Sequence, residues 1–229
     1  MNKRDLLRKL RARQTPERTR ATAYHEAGHA AIKFLFGEQY NIHFIDIRGN
    51  VENAAYVRTR GEGPLADGNG FHEADPATRW FIKINTKGSM MFDLAGYAAQ
   101  HRVSTEDYDG LHWLDTELDD PEWECIEIHD IKRAVTRAKT LHGDTGNAWR
   151  LLRQMARWTD EALAHPRLWA VVVALAERLA TAKRRMSGDT VCRIMDGAWG
   201  KGTLPYIEMG SKWRRRFSVP RALTQEAQP

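Results

Sequence analysis

Cysteine and long hydrophobic runs are scarce in this sequence. Its two cysteines, Cys125 and Cys192, lie far apart without paired spacing, which excludes a disulfide framework and a cysteine-ligated zinc site. The longest apolar run, residues 168–176, is too short to cross a bilayer. The charged N-terminus has no apolar core of the signal-peptide type. We therefore expect no membrane span and a reducing, cytoplasmic setting.

Positive charge is in surplus and unevenly distributed. The 229 residues carry a net charge of +5, and basic side chains crowd 1–14, 183–185 and 201–229. No nucleic-acid-binding motif accompanies these clusters, so we interpret them as solvated and expect no nucleic-acid partner. A composition of 42% hydrophobic and 28% charged residues is typical of a globular protein. We predict a folded domain at 15–200 between a basic N-terminal arm and a basic C-terminal tail.

One motif carries recognisable chemistry: His25-Glu26-Ala27-Gly28-His29 has the form His-Glu-x-x-His. Residues four apart share one face of a helix, so His25 and His29 can offer two imidazole nitrogens to one metal ion. Glu26 then projects beside the metal, where its carboxylate can take a proton from water. This combination of residue types is the one that zinc-dependent hydrolysis requires.

The motif lies in a segment with clear helix signals. Thr15-Pro16-Glu17 combines an N-cap residue, a proline at the first helical position and an acid in the first turn. The predicted helix runs over 15–36 and ends at Gly37. A glycine inside a helix, as at position 28, lowers the stability of the helix by roughly 1 kcal/mol relative to alanine. We therefore expect Gly28 to pack closely against a neighbouring element.

The rest of the chain predicts a mainly α, α+β domain with a small hairpin next to the motif helix. Alternating apolar residues predict strands at 41–48 and 54–60, joined by a turn at Gly49-Asn50. Asp75-Pro76 can cap a weak helical segment that reaches residue 85. Apolar spacing predicts helices at 90–102, 130–141, 145–164, 166–182 and 188–196.

A catalytic zinc ion usually takes three protein ligands and leaves the fourth position for water. Two histidines therefore need a third partner from elsewhere in the chain. The candidates share only their ligand chemistry, and spacing does not choose among them: His101, Glu106, Asp107, Glu127, His129 and Asp130.

The motif and its flanks, Tyr24-His25-Glu26-Ala27-Gly28-His29-Ala30, resemble the zinc peptidase domain of the FtsH-type ATP-dependent metalloproteases. Weaker likenesses follow in the family's order, and together they cover about residues 18–195. Residues 129–134 resemble the segment whose aspartate is the family's third zinc ligand. The other similar segments are 45–49 with 55–57, 94–100 and 174–179.

The resemblance implies the fold of an FtsH-type zinc peptidase and assigns roles to individual residues. Zn²⁺ would be held by His25, His29 and Asp130, with Glu26 as general base. The strand after the motif helix borders the family's cleft, which assigns substrate binding to Ala54, Ala55, Tyr56 and Val57. The segment before Asp130 is longer here than in the family, which leaves Asp107 or Asp109 as alternative third ligands.

Two departures bear on function. The sequence has no P-loop of the Gly-x-x-x-x-Gly-Lys-Ser/Thr type, which the family's unfolding module carries. Gln100-His101 also replaces the family's Glu-Glu pair, so any carboxylate that orients a zinc-bound histidine must be replaced. We expect a zinc endopeptidase for unfolded or flexible polypeptides. An unfoldase acting in trans and further copies of the chain are candidate partners, and a peptidase-like protein that binds without cleaving is the alternative.

Overall fold

The computed structural model describes residues 16–47, 56–59, 71, 73–104, 129–143, 145–200 and 205. In these ranges the chain forms six α-helices and three short strands, which confirms the mainly α prediction. The helices are α1 Pro16–Leu35, α2 Pro76–Ser104, α3 His129–His142, α4 Thr145–Leu163, α5 Pro166–Ala180 and α6 Gly188–Trp199. The strands are β1 Ile42–Asp46, β2 Tyr56–Thr59 and β3 Met186–Ser187. The arm at 1–14 lies outside the described residues, as does all of the tail except Pro205.

Helix α1 carries the motif and lies between α2 and α5. Its packing face is built from small residues, and Ala27 and Ala30 are fully buried. A side chain at Gly28 would collide with the carbonyl oxygen of Ala95, and its Cβ would lie 2.7 Å from the Cβ of Ala99. The close packing expected at Gly28 is therefore confirmed, and it sets the approach of α2 to the motif.

The end of α1 agrees with its prediction. Gly37 has a φ of +73°, the left-handed conformation that glycine adopts at a helix end without steric cost. The N–H of Glu38 donates to the carbonyl of Lys33 over 2.8 Å, which satisfies a carbonyl in the last turn. Thr15, the predicted N-cap, lies outside the described residues.

Helix α2 corrects the sequence-based prediction, because the segments at 75–85 and 90–102 are one continuous helix. Its beginning is as expected: the Asp75 carboxylate accepts hydrogen bonds from the N–H groups of Ala77 and Thr78, at 2.9 and 3.0 Å. Gly88 does not break the helix. Burial of Ile82 and Met90 against neighbouring helices on either side of Gly88 outweighs the local cost of that glycine.

The strands form an antiparallel sheet in the order β2-β1-β3. Ile45 of β1 pairs with Val57 on one side and with Met186 on the other. The predicted hairpin is confirmed with shorter strands, and its predicted turn at Gly49-Asn50 lies outside the described residues. Strand β3 is not predicted, because two residues without periodicity carry no local strand signal. Within the described chain, β2 is an edge strand.

The remaining helices follow their predictions closely. Helix α5 begins at Pro166 as expected and ends at Ala180, two residues before the predicted end. Helix α3 packs on α2 and α4, which places its first turn near the motif. Among the helices of the described ranges, none is both long enough and apolar enough to cross a membrane.

Candidate metal centre

Three ligand atoms from two helices converge at the motif. The Nε2 atoms of His25 and His29, one helical turn apart on α1, are 3.1 Å from each other. Oδ2 of Asp130, in the first turn of α3, lies 3.1 Å from Nε2 of His25 and 3.3 Å from Nε2 of His29. The structure therefore places Asp130, among the candidate third ligands, with both histidines, as one group that could hold a metal ion.

The size of this triangle suits a tetrahedral zinc site. Zinc binds imidazole nitrogen and carboxylate oxygen at about 2.0–2.2 Å, so neighbouring ligand atoms around a tetrahedral ion lie about 3.3–3.6 Å apart. The three observed separations of 3.1, 3.1 and 3.3 Å are close to that spacing. Small outward shifts of the side chains would complete one face of the tetrahedron.

A hydrogen bond at Nδ1 of each histidine determines the tautomer of its ring. Nδ1 of His29 donates to the carbonyl oxygen of Phe92 over 2.6 Å, and Nδ1 of His25 donates to Oε1 of Gln100 over 3.2 Å. With the proton on Nδ1, each Nε2 presents a lone pair. The Gln100 amide thus holds the His25 ring in its orientation.

The electrostatics of this arrangement favour a cation. Two imidazole lone pairs and an Asp130 oxygen face one another at about van der Waals contact, and like partial charges at that distance repel. Burial would raise the pKa of Asp130, but positive charge and N–H donors on His29 and His25, which a proton supplies when no cation is bound, outweigh burial and hold that pKa well below its usual range. Asp130 is therefore an ionised carboxylate, as a metal ligand must be.

Glu26 lies beside this group in a nearly dry environment. The residue is 3% exposed, and its Oε2 has no hydrogen-bond partner among the described residues. Burial raises the pKa of Glu26 to about 7, although His25 and a backbone hydrogen bond from Val57 oppose the shift. A carboxylate with a pKa near neutrality suits a general base.

Three residues on one face of α2 form the surface that faces both histidines. Phe92, Gly96 and Gln100 are spaced four residues apart and therefore share one helix face. A Cβ on Gly96 would lie 2.5 Å from Nε2 of His25 and 2.6 Å from Nε2 of His29. Because position 96 has no side chain, the space beside both lone pairs stays open. No role for Phe92 or Gly96 is predicted from the sequence, where the only available signal is the spacing of four.

The other predicted site residues lie away from the ligand group, in β2 or outside the described residues. His101 lies on α2 but does not belong to the ligand group. His129 opens α3, and its side chain is outside the described part of the structure. Of the substrate-binding strand, Tyr56 and Val57 lie in β2. The other predicted ligands and strand residues fall outside the described residues: Ala54, Ala55, Glu106, Asp107, Asp109 and Glu127.

Comparisons with protein-family models, with curated proteins and with solved structures gave no match to this chain. The similarity to FtsH-type peptidases therefore stays a prediction from sequence motifs. The proposed function therefore rests on the geometry of the site, which is formed by His25, His29, Asp130 and Glu26.

Proposed function

We propose that this protein is a zinc-dependent metalloendopeptidase of the FtsH type. The observation that carries the proposal is the convergence of three acceptor atoms, on His25, His29 and Asp130, next to the buried carboxyl group of Glu26. Two imidazoles and one carboxylate are a typical ligand set for hydrolytic zinc, and three protein ligands leave one position for water. When bound, zinc supplies a Lewis acid that lowers the pKa of a water molecule to about 7.

In this mechanism Glu26 moves the protons. Its carboxylate takes a proton from the attacking water and then delivers it to the departing amine. The Val57 N–H group holds the carboxyl of Glu26 from the β2 side, while Oε2 remains available for that proton. The surrounding core keeps the pKa of Glu26 close to that of an effective base at neutral pH.

The proposed substrate is an extended polypeptide segment that pairs with β2. Because Val57 donates its N–H to Glu26 of α1, the backbone of β2 at this point faces the motif helix. An edge strand next to a catalytic carboxylate can bind a peptide by adding one more strand. Only a chain that is unfolded or flexible can present such a segment, so folded proteins are expected to resist cleavage.

The test is an assay of the purified protein, loaded with zinc, on a fluorescently labelled unfolded polypeptide and on the same polypeptide in its folded form. We expect fragments from the unfolded substrate only, loss of cleavage after chelation, and recovery when zinc is added back. If the zinc-loaded protein binds unfolded polypeptides and yields no fragments, the proposal fails in favour of the alternative, a peptide-binding protein without catalysis.

A further inference from the structure

The two oxygens of the Asp130 carboxylate have different partners. Oδ2 faces the histidines, at 3.1 Å from Nε2 of His25. Oδ1 accepts a hydrogen bond from Nη2 of Arg133, one turn further along α3, over 2.6 Å. The guanidinium thus occupies the oxygen that does not face the ligand triangle, and it fixes the rotation of the carboxylate.

Arg133 is itself held from α2. Its Nε forms an ion pair with Oδ1 of Asp93 at 3.2 Å, and Arg137 pairs with Oδ2 of the same carboxylate. Asp93 is fully buried, so these two guanidinium groups compensate its charge. The planar guanidinium of Arg133 is suited to contacting two carboxylates in different directions. Arg133 therefore links Asp130 to a fixed point in the core.

The same turn of α2 also holds a ligand from α1. Phe92, which precedes Asp93, accepts the Nδ1–H of His29 through its carbonyl oxygen. Residues 92 and 93 thus contact the ligand helix on one side and the Arg133 guanidinium on the other. This turn sets the position of Asp130 relative to the histidines, although the ligands lie on separate helices.

The ion pair between Arg133 and Asp130 contributes little to stability by itself. The Arg133 side chain is 45% exposed, and an exposed ion pair at i, i+3 contributes little to the free energy of unfolding. The contact matters more for the orientation of Asp130. A carboxylate with both oxygens free can rotate, or it can bind a metal ion through both oxygens. Groups that hold metal ligands from behind commonly affect metal affinity strongly.

We propose that Arg133, anchored by Asp93, is a positioning residue that restricts Asp130 to binding metal through one oxygen. This inference rests on the zinc site of the proposed function. With Oδ1 held by Arg133, the carboxylate fills one coordination position, and a further position stays open for water. Arg133 touches neither substrate nor metal in this account, and it acts only through Asp130.

The experiment compares Arg133→Ala with Lys132→Ala, which removes an exposed positive charge from the neighbouring position of α3. The zinc dissociation constant is measured by competition with a chromophoric chelator. We expect Arg133→Ala to weaken zinc binding about 10- to 100-fold, and Lys132→Ala to leave it unchanged. Arg133→Lys should recover part of the affinity, because an ammonium group can contact Asp130 but cannot form the guanidinium's two-sided contact.

Two further readouts separate positioning from a structural role. Because Arg137 still pairs with Asp93, the zinc-free Arg133→Ala variant should remain folded and melt only a few degrees below the parent, a loss that does not account for weaker zinc binding. In the cobalt-substituted protein, Arg133→Ala should give weaker visible absorption, because binding through both Asp130 oxygens raises the coordination number. A variant with the parent's zinc affinity and cobalt spectrum would overturn the inference. A parent protein that binds no zinc would overturn the site itself, which is a distinguishable failure.

Discussion

Replacing Glu26 with glutamine is expected to lower peptide hydrolysis about 10²- to 10⁴-fold, the range in which a positioned acid–base group contributes to catalysis. Glutamine has nearly the same shape as glutamate, but its amide cannot take a proton from water. The change leaves His25, His29 and Asp130 in place, so the variant should still bind one zinc ion per chain. Initial cleavage rates and zinc content, measured on the same preparation, check both parts.

Glu177→Gln is the matched control for this prediction. Glu177 is an exposed residue of α5, and its substitution makes the same chemical change away from the ligand group. The control should cleave at the parent's rate. Because Glu26 is buried with an unpartnered oxygen, its neutral replacement should not destabilise the fold. A Glu26→Gln variant that hydrolyses peptides as fast as the parent would rule out Glu26 as the general base.

Gly96→Ala is expected to abolish tight zinc binding without altering any ligand. The added methyl group would lie 2.5 Å from Nε2 of His25 and 2.6 Å from Nε2 of His29, well inside van der Waals contact. Both rings are tied at Nδ1 to α2, so they can move away only by losing those hydrogen bonds. We expect zinc affinity to fall by more than about 100-fold, a larger loss than is typical for groups behind the ligands.

Gly88→Ala provides the control on the same helix. A Cβ at position 88 would lie 3.7 Å from the nearest heavy atom, Cε2 of Phe36, which is an ordinary contact. This variant should bind zinc like the parent and gain up to about 1 kcal/mol of helix stability. Competition titrations of both variants with a chelator make the comparison. If Gly96→Ala binds zinc as tightly as Gly88→Ala, the space beside the histidines is not where the metal binds.

The motif helix is predictable from the sequence because its signals are local. Pro16 marks its start, Gly37 its end, and the spacing of His25 and His29 follows directly from the helical period. Helix α2 is different, since Gly88 and the polar residues around it interrupt the apolar pattern. Its continuity depends on packing against other helices, which a local pattern does not contain.

In the site, too, features that depend on nearby residues are predictable from the sequence, and features that depend on distant residues are not. Two ligands four residues apart are visible in the sequence, but a third ligand more than a hundred residues away is not fixed by spacing. The spatial arrangement brings Asp130 to the histidines and leaves His101 outside the group. The contribution of Gly96 depends on which face of α2 meets α1. Strand β3 likewise exists only because Met186 and Ser187 lie next to β1.

The most direct test of the central claim is the zinc content of the purified protein, measured by elemental analysis after incubation with zinc and removal of the excess. We predict one zinc ion per chain in the parent and none in Asp130→Ala, since two histidines alone do not complete a tight site. Circular dichroism should show that the variant keeps its helical fold. A parent protein that retains no zinc, or an Asp130→Ala variant that retains one ion per chain, would contradict the assignment.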